Sequence, residues 1–209
     1  MRFRKPSRIR TLQSIIKQMR NSDHLKAMQG VKLLKEHSLL DELEGIDLRG
    51  ADLHLVRLPN AKMENANLQQ SNLRGAYLVG INLQGANLSN SNLQGALVWA
   101  ANLQNTKLFG VDARGARLGC NMRSANLQQA DLTWSQFANA DLTHADLRGA
   151  RGVSQAGLSQ AYALRHAIMP DGQRYDGRFQ LEGDLIAASL ERLDLTDREQ
   201  SARFYGVAF

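Results

Sequence analysis

Residues 81–110 read INLQGANLSNSNLQGALVWAANLQNTKLFG, and a unit of five recurs through the whole stretch. Its first position holds Ile81, Ala86, Ser91, Ala96, Ala101 and Thr106; its third holds Leu83, Leu88, Leu93, Val98, Leu103 and Leu108. Followed outward, the frame starts at Ile46 and ends at Gly149, giving 21 units over 104 residues. It slips once, at the four-residue unit Ala116-Arg117-Leu118-Gly119, and Cys120 resumes it. Position three is Leu in 16 units, position one is Ala in twelve, and position two is Asn or Asp in fourteen. A period of five fits neither a helix nor a strand, and the abundant Asn and Gly disfavour helix further. A short extended stretch puts positions one and three on the same side, and a Gly or Asn turn redirects the chain. Stacked units of this kind predict an all-β solenoid with a leucine column and a small-residue column inside.

The exceptions give the number of units per coil. Seven units lack Asn or Asp at position two, and five of these, at Arg57, Tyr77, Leu97, Arg117 and Gln136, are spaced 20, 20, 20 and 19 residues apart. One side therefore breaks the rule in every coil, as expected if four units close a turn. This gives about five coils and a rod roughly 25 Å long at one strand spacing per coil. Leu48, Leu68, Leu88, Leu108, Leu127 and Leu147 should share one internal column, with the slip as a tightened corner near Gly119.

The A-(D/N)-L-x-x unit resembles the pentapeptide-repeat family. The resemblance implies a right-handed quadrilateral β-helix with four units per coil. The flanks are similar to those of bacterial, especially cyanobacterial, members. Such members begin with a short helix and end in a tail like Met169-Pro170-Asp171-Gly172 followed by Tyr175-Asp176-Gly177-Arg178-Phe179.

The chain divides into residues 1–45, a basic arm and helical N-terminal cap; 46–149, the solenoid; and 150–209, a partly helical C-terminal tail that packs on or caps the rod. Both ends of a parallel stack need covering, because they expose apolar core and unpaired backbone. Upstream, Ser22 or Asp23 can cap a helix carrying Leu25, Met28, Val31 and Leu34, and Ile9, Leu12, Ile15, Ile16 and Met19 mark another amphipathic piece. Downstream, Gly152 takes an inward leucine's place and the repeat fades. Leu158, Tyr162 and Leu164 suggest a helical turn, and Pro170-Asp171-Gly172 a tight turn. Asp184 is expected to begin one helix, and Thr196 with Glu199 has the capping-box spacing to begin another.

The sequence points away from an enzyme. No phosphate-binding loop, nucleophile elbow or dinucleotide fingerprint is present. Cys120, the single cysteine, occupies an inward small-residue position and reads as a structural thiol. His24, His37, His54, His144 and His166 show no ligand spacing, so neither a metal nor a cofactor is expected. One cysteine excludes a disulfide framework and suits a cytoplasmic protein. No apolar run is long enough to cross a bilayer, and no secretory leader is visible.

What remains is binding, by a monomer or a homodimer. Tyr77 and Leu97 at position two, with Val79 and Trp99 at position four, should form one outward apolar patch flanked by Arg57 and Arg117. That composition suits a protein-binding hot spot, although the C-terminal tail could equally dock there; the patch should be covered in either case. Some family members, those of the quinolone-resistance type, bind DNA gyrase as DNA mimics, which needs an acidic surface. The rod has nine basic residues against seven acidic ones, which makes gyrase an unlikely partner. Finally, Arg2, Arg4, Lys5, Arg8 and Arg10 lie in an N-terminal stretch without acidic residues, suited to an anionic membrane or to nucleic-acid phosphates, or else simply solvated.

Overall fold

The computed structural model describes residues 6–208. Its helices are α1 (Pro6–Met19), α2 (His24–Glu36), α3 (Gln155–Leu158), α4 (Glu182–Leu190) and α5 (Arg198–Tyr205). Between α2 and α3 runs a stack of single-residue parallel bridges. The residue at position two of each unit bridges to its counterpart twenty residues on: Asp47 to Asn67, Asp52 to Asn72, Arg57 to Tyr77, Lys62 to Asn82. These four columns are the four sides. Across the short unit the step falls to nineteen, as in Asn102 to Asn121 and Arg117 to Gln136, and Asn121 to Asp141 restores twenty.

Backbone chemistry explains why each unit is so short. The N–H of position three donates to position two of the next coil, as Leu48 does to Asn67 at 2.8 Å, while Asn67 N–H donates back to Ile46 at 2.8 Å. At most corners the N–H of position one donates to the preceding position three, as Ala51 does to Leu48 at 3.1 Å. Position five turns left-handed, with φ of +65° at Gly50, +57° at Asn60 and +56° at Ala100. A positive φ at the third residue of such a turn belongs to type II and favours Gly or Asn. Asn or Asp at position two finishes the corner. Its side-chain oxygen accepts the N–H of position four, 3.1 Å from Gln104 to Asn102 and 2.9 Å from Gln94 to Asn92.

At the slip the corner tightens. Cys120 N–H donates to Leu118, two residues back, at 2.8 Å, a three-residue γ-turn in place of the usual four. Gly119 is required there, since a Cβ on it would lie 2.4 Å from the Ala138 carbonyl oxygen. Inside the stack, Leu48, Leu68, Leu88, Leu108, Leu127 and Leu147 are all buried, as the periodicity predicts.

Both ends are completed by groups outside the repeat. The first coil lacks a predecessor, and two of its position-two N–H groups find other carbonyls: Asp52 donates to Asn21 and Lys62 to Leu40, each at 2.9 Å. Helix α2 is capped by Asp23, which accepts from the N–H groups of Leu25 and Lys26. Helix α1 packs on it through Leu12, Ile15 and Met19, all buried. Gly30 permits the approach, since a Cβ there would lie 2.6 Å from Met19 Cγ.

At the other end the ladder does not stop at Gly149. Asp131 bridges to Arg151, α3 follows, and the stack resumes with Asp141 to Ala163 and Asp146 to Ile168. Fading of the motif is thus not fading of the coil. Two helix starts differ from the sequence expectation. Asp184 does not begin α4; it is the third residue of that helix, and its carboxylate accepts from the N–H groups of Leu164 and Arg165 at 3.1–3.4 Å. Leu164 N–H faces where a further coil would lie, and Arg165 N–H is the corner donor that Ala163, at position two, has no side-chain oxygen to accept. Helix α5 is capped by Asp197, which accepts Gln200 N–H at 2.8 Å, while Thr196 bonds to Asp194.

Candidate interaction face

The side of the rod that lacks Asn and Asp gives up the corner bond described above, and its position two is free to carry large side chains. Arg57, Tyr77, Leu97, Arg117 and Gln136 form one continuous bridge column. Arg57 lies over the Tyr77 ring, its guanidinium carbon 4.3 Å from the centroid. Tyr77, Val79 and Leu97 are half-buried, and Trp99 is 50 % exposed. Arg117 is exposed at the far edge. The structure therefore brings all six residues onto one side.

The tail does not cover this face. Phe204, Tyr205 and Tyr175 bury themselves at the end of the stack, and Trp99 stays half exposed. Tyr162 of the tail lines a shallow hollow with Trp99, Gly119, Cys120 and Asn139, and α3 abuts only the last unit of this side, where a Cβ on Gly157 would lie 3.8 Å from the Phe137 ring. The chain's own tail, one of the two covers expected, leaves Trp99 half exposed.

The basic N-terminal stretch also differs from a free arm. Arg8 and Arg10 stand on α1, and Arg8 Nε pairs with Glu42 at 2.6 Å. Arg20 pairs with Asp47 at 2.8 Å. Arg2, Arg4 and Lys5 lie outside the described residues.

Other polar groups are chiefly structural. Asp112 and Asp146 receive bidentate bonds from Arg114 and Arg148 two residues on, and these bonds hold both carboxyls below the usual carboxylate range. Burial pushes the Cys120 thiol up to about 12, which keeps it protonated and unreactive. The histidines are a different matter. His144 and His166 stack at 4.8 Å, and His24 stacks on His54 at 3.6 Å beside Asp52. No spacing rule could have found these pairs: they join residues 22 and 30 apart, the first across the resumed coil and the second through the placement of α2. Sequence reading also missed Trp134, 83 % exposed at a left-handed corner.

A stack of four-sided coils, each built from four five-residue units with an Asn/Asp corner bond, defines a repeat solenoid. The chain belongs to the pentapeptide repeat family, whose model matches in eight copies over residues 42–70, 66–97, 86–118 and 119–151. Among solved structures it is similar to a pentapeptide repeat protein of the Arabidopsis thaliana thylakoid lumen, 25% identical with a TM-score of 0.39, covering 52% of this chain and 72% of that one. HetL of the cyanobacterium Nostoc, involved in heterocyst differentiation regulation, is 23% identical with a TM-score of 0.21, over 63% of this chain and 88% of its own. QnrB1, a plasmid-mediated fluoroquinolone resistance protein, is 15% identical with a TM-score of 0.36, over 73% and 89%. Among curated proteins none matches this sequence. Among the described residues no helix is long and apolar enough to cross a membrane.

Proposed function

We propose that this chain is a non-enzymatic interaction scaffold. About five right-handed, four-sided coils, closed by the flanking helices, would present the Tyr77/Val79/Leu97/Trp99 face, rimmed by Arg57 and Arg117, to a protein partner. The observation that carries this reading is Trp99, which stays half exposed on the one side of the rod that has given up its Asn/Asp corners. A large aromatic among aliphatic neighbours, with arginine at its edges, is the composition that anchors protein interfaces. A cytoplasmic setting goes with the same reading, supported by the single buried thiol.

Gyrase mimicry is the weaker reading, since nine basic residues against seven acidic ones on the rod do not make an anionic ladder. Anion binding through the N-terminus is weakened by the pairing of Arg8 and Arg20 with acidic residues. The test is a photo-crosslinking amino acid at position 99, with position 104 on the neighbouring side as control, introduced into the chain in its native cell. A discrete adduct from 99 alone, lost when Leu97→Asp is added, would support the face. Equal labelling from both positions would overturn it.

A further inference from the structure

Two imidazoles and a carboxylate meet where the helical N-terminal region joins the first coil. His24 is the first residue of α2, and Asp52 and His54 occupy positions two and four of the unit beginning at Ala51. One candidate ligand atom from each of the three lies within 4.8 Å of the other two. The rings of His24 and His54 are stacked, with centroids 3.6 Å apart and planes 23° from parallel.

The protonation pattern within the cluster is constrained. Asp52 Oδ1 lies 2.8 Å from His54 Nδ1 and also accepts Asn72 Nδ2 at 2.9 Å. With no ion bound, Asp52 Oδ1 and His54 Nδ1 share a proton; an ion would take that proton's place, so that both atoms face it. His24 Nδ1 is buried and has no hydrogen-bond partner. A buried ring nitrogen without a partner is costly, and an ion is one of its ordinary explanations. Asp52 brings one negative charge, and neutral imidazole with carboxylate is the donor set of borderline divalent ions, not of calcium or magnesium.

We propose that His24, His54 and Asp52 bind a borderline divalent transition-metal ion of the Zn²⁺ class, clipping α2 to the first coil. Tetrahedral Zn²⁺ at about 2.0–2.1 Å from nitrogen needs ligand atoms about 3.4 Å apart, so Asp52 Oδ1 and His54 Nδ1, 2.8 Å apart without the ion, would part slightly and the His24 ring would turn out of the stack toward the ion. Water would fill the remaining positions. Because the clip joins segments thirty residues apart, its occupancy would set how firmly the first coil is closed.

The experiment is calorimetric titration of the full chain with zinc chloride in chelator-treated buffer, with thermal unfolding followed in parallel. One ion should bind per chain and raise the melting temperature, with magnesium chloride having no effect. His24→Ala and His54→Asn should each weaken zinc binding at least tenfold, while a variant with His144→Gln and His166→Gln should bind as the parent does. Absence of saturable zinc binding in the parent would overturn the site, as would unchanged affinity in both His24 and His54 variants. Should those variants fail to fold, histidine acylation of the parent decides: zinc should protect His24 and His54 but not His37, and equal acylation with and without zinc would refute the proposal.

Discussion

Arg165 lies over Phe204, its guanidinium carbon 4.1 Å from the ring centroid. The same side chain pairs with Glu191 at 2.5 Å and donates from Nε to the Phe204 carbonyl at 3.3 Å. One residue of the resumed coil thus holds the end of α4 and the last turn of α5. These helices bring Phe204 and Tyr205 over apolar surface that would otherwise end in water. Arg165→Ala should lower stability by about 1–2 kcal/mol, combining a partly desolvated cation–π contact with a half-exposed ion pair. Arg165→Lys should not restore it, because a point charge cannot stack and bridge at once. Denaturant midpoints, with limited proteolysis of residues 190–205, provide the measurement.

Asp184 makes the C-terminal end pH-sensitive. Burial raises its pKa to about 6, against the opposing pull of the Leu164 and Arg165 N–H groups. The folded state then holds a proton more tightly than the unfolded chain, so stability falls as pH rises from about 4 to about 6 and stays lower above that. Asp184→Asn keeps an acceptor for the two N–H groups without the buried charge. At pH 7 it should be as stable as the parent or more so, by up to about 3 kcal/mol, and the slope between pH 4 and 6 should diminish. Parallel slopes in parent and variant would show that Asp184 is not its source. The neighbouring His144 and His166 act in the opposite sense. Burial lowers both pKa values, so their contribution is lost as pH falls below about 6.5.

The repeat was legible because every unit solves one problem in the same way. Inward leucines, the Asn/Asp corner bond and a left-handed fifth position leave a periodic signal that survives single exceptions such as Val98 or Phe137. The slip was legible too, since the unit Ala116–Gly119 is one residue short while the frame resumes at Cys120. Residues 150–209 were not, because their structure is decided by groups that meet across the end of the stack. Asp184 resembles an N-cap in sequence, yet it serves as a substitute carbonyl for a coil that does not exist. The six residues of the candidate face could be assigned to one side because coil spacing is arithmetic. The His24/Asp52/His54 cluster could not, since it depends on how α2 is placed.

Some corners are coupled from one coil to the next. A fifth-position side chain leans over the corner of the following coil, so Asn60 faces Gly80 and Asn65 faces Gly85. A Cβ on Gly80 would sit 2.2 Å from Asn60 Oδ1, and one on Gly85 2.5 Å from Asn65 Oδ1. Gly80→Asn should therefore cost about 1–2 kcal/mol by displacing Asn60, although Asn suits the left-handed conformation. Adding Asn60→Gly should recover most of that loss, giving a coupling of at least 0.5 kcal/mol in a double-mutant cycle. Gly95→Asn, at a corner where a Cβ meets nothing within 4 Å, should be close to neutral. Additive losses at positions 60 and 80 would show that the corners are independent.

The two tryptophans offer a direct reading of the proposed face. Trp134 is 83 % exposed at a corner with φ of +60°, a conformation that costs a bulky residue about 1–2 kcal/mol and a glycine almost nothing. Trp134→Gly should therefore hold or raise stability, and it leaves Trp99 as the sole tryptophan. In that background Trp99, 50 % exposed, should be quenched by acrylamide in the free chain at a rate clearly above that of a buried indole. Truncating the chain after residue 190 should change that rate little, because α5 packs at the end of the stack and not on this side. Trp99→Asp should leave thermal stability within about 0.5 kcal/mol of the parent, the ordinary range for a surface position. By contrast Phe137→Ala, inside the same column of units, should cost about 3–5 kcal/mol. An unquenched Trp99, or a Trp99→Asp variant as unstable as Phe137→Ala, would mean that this side is packed against the chain itself and is not open to a partner.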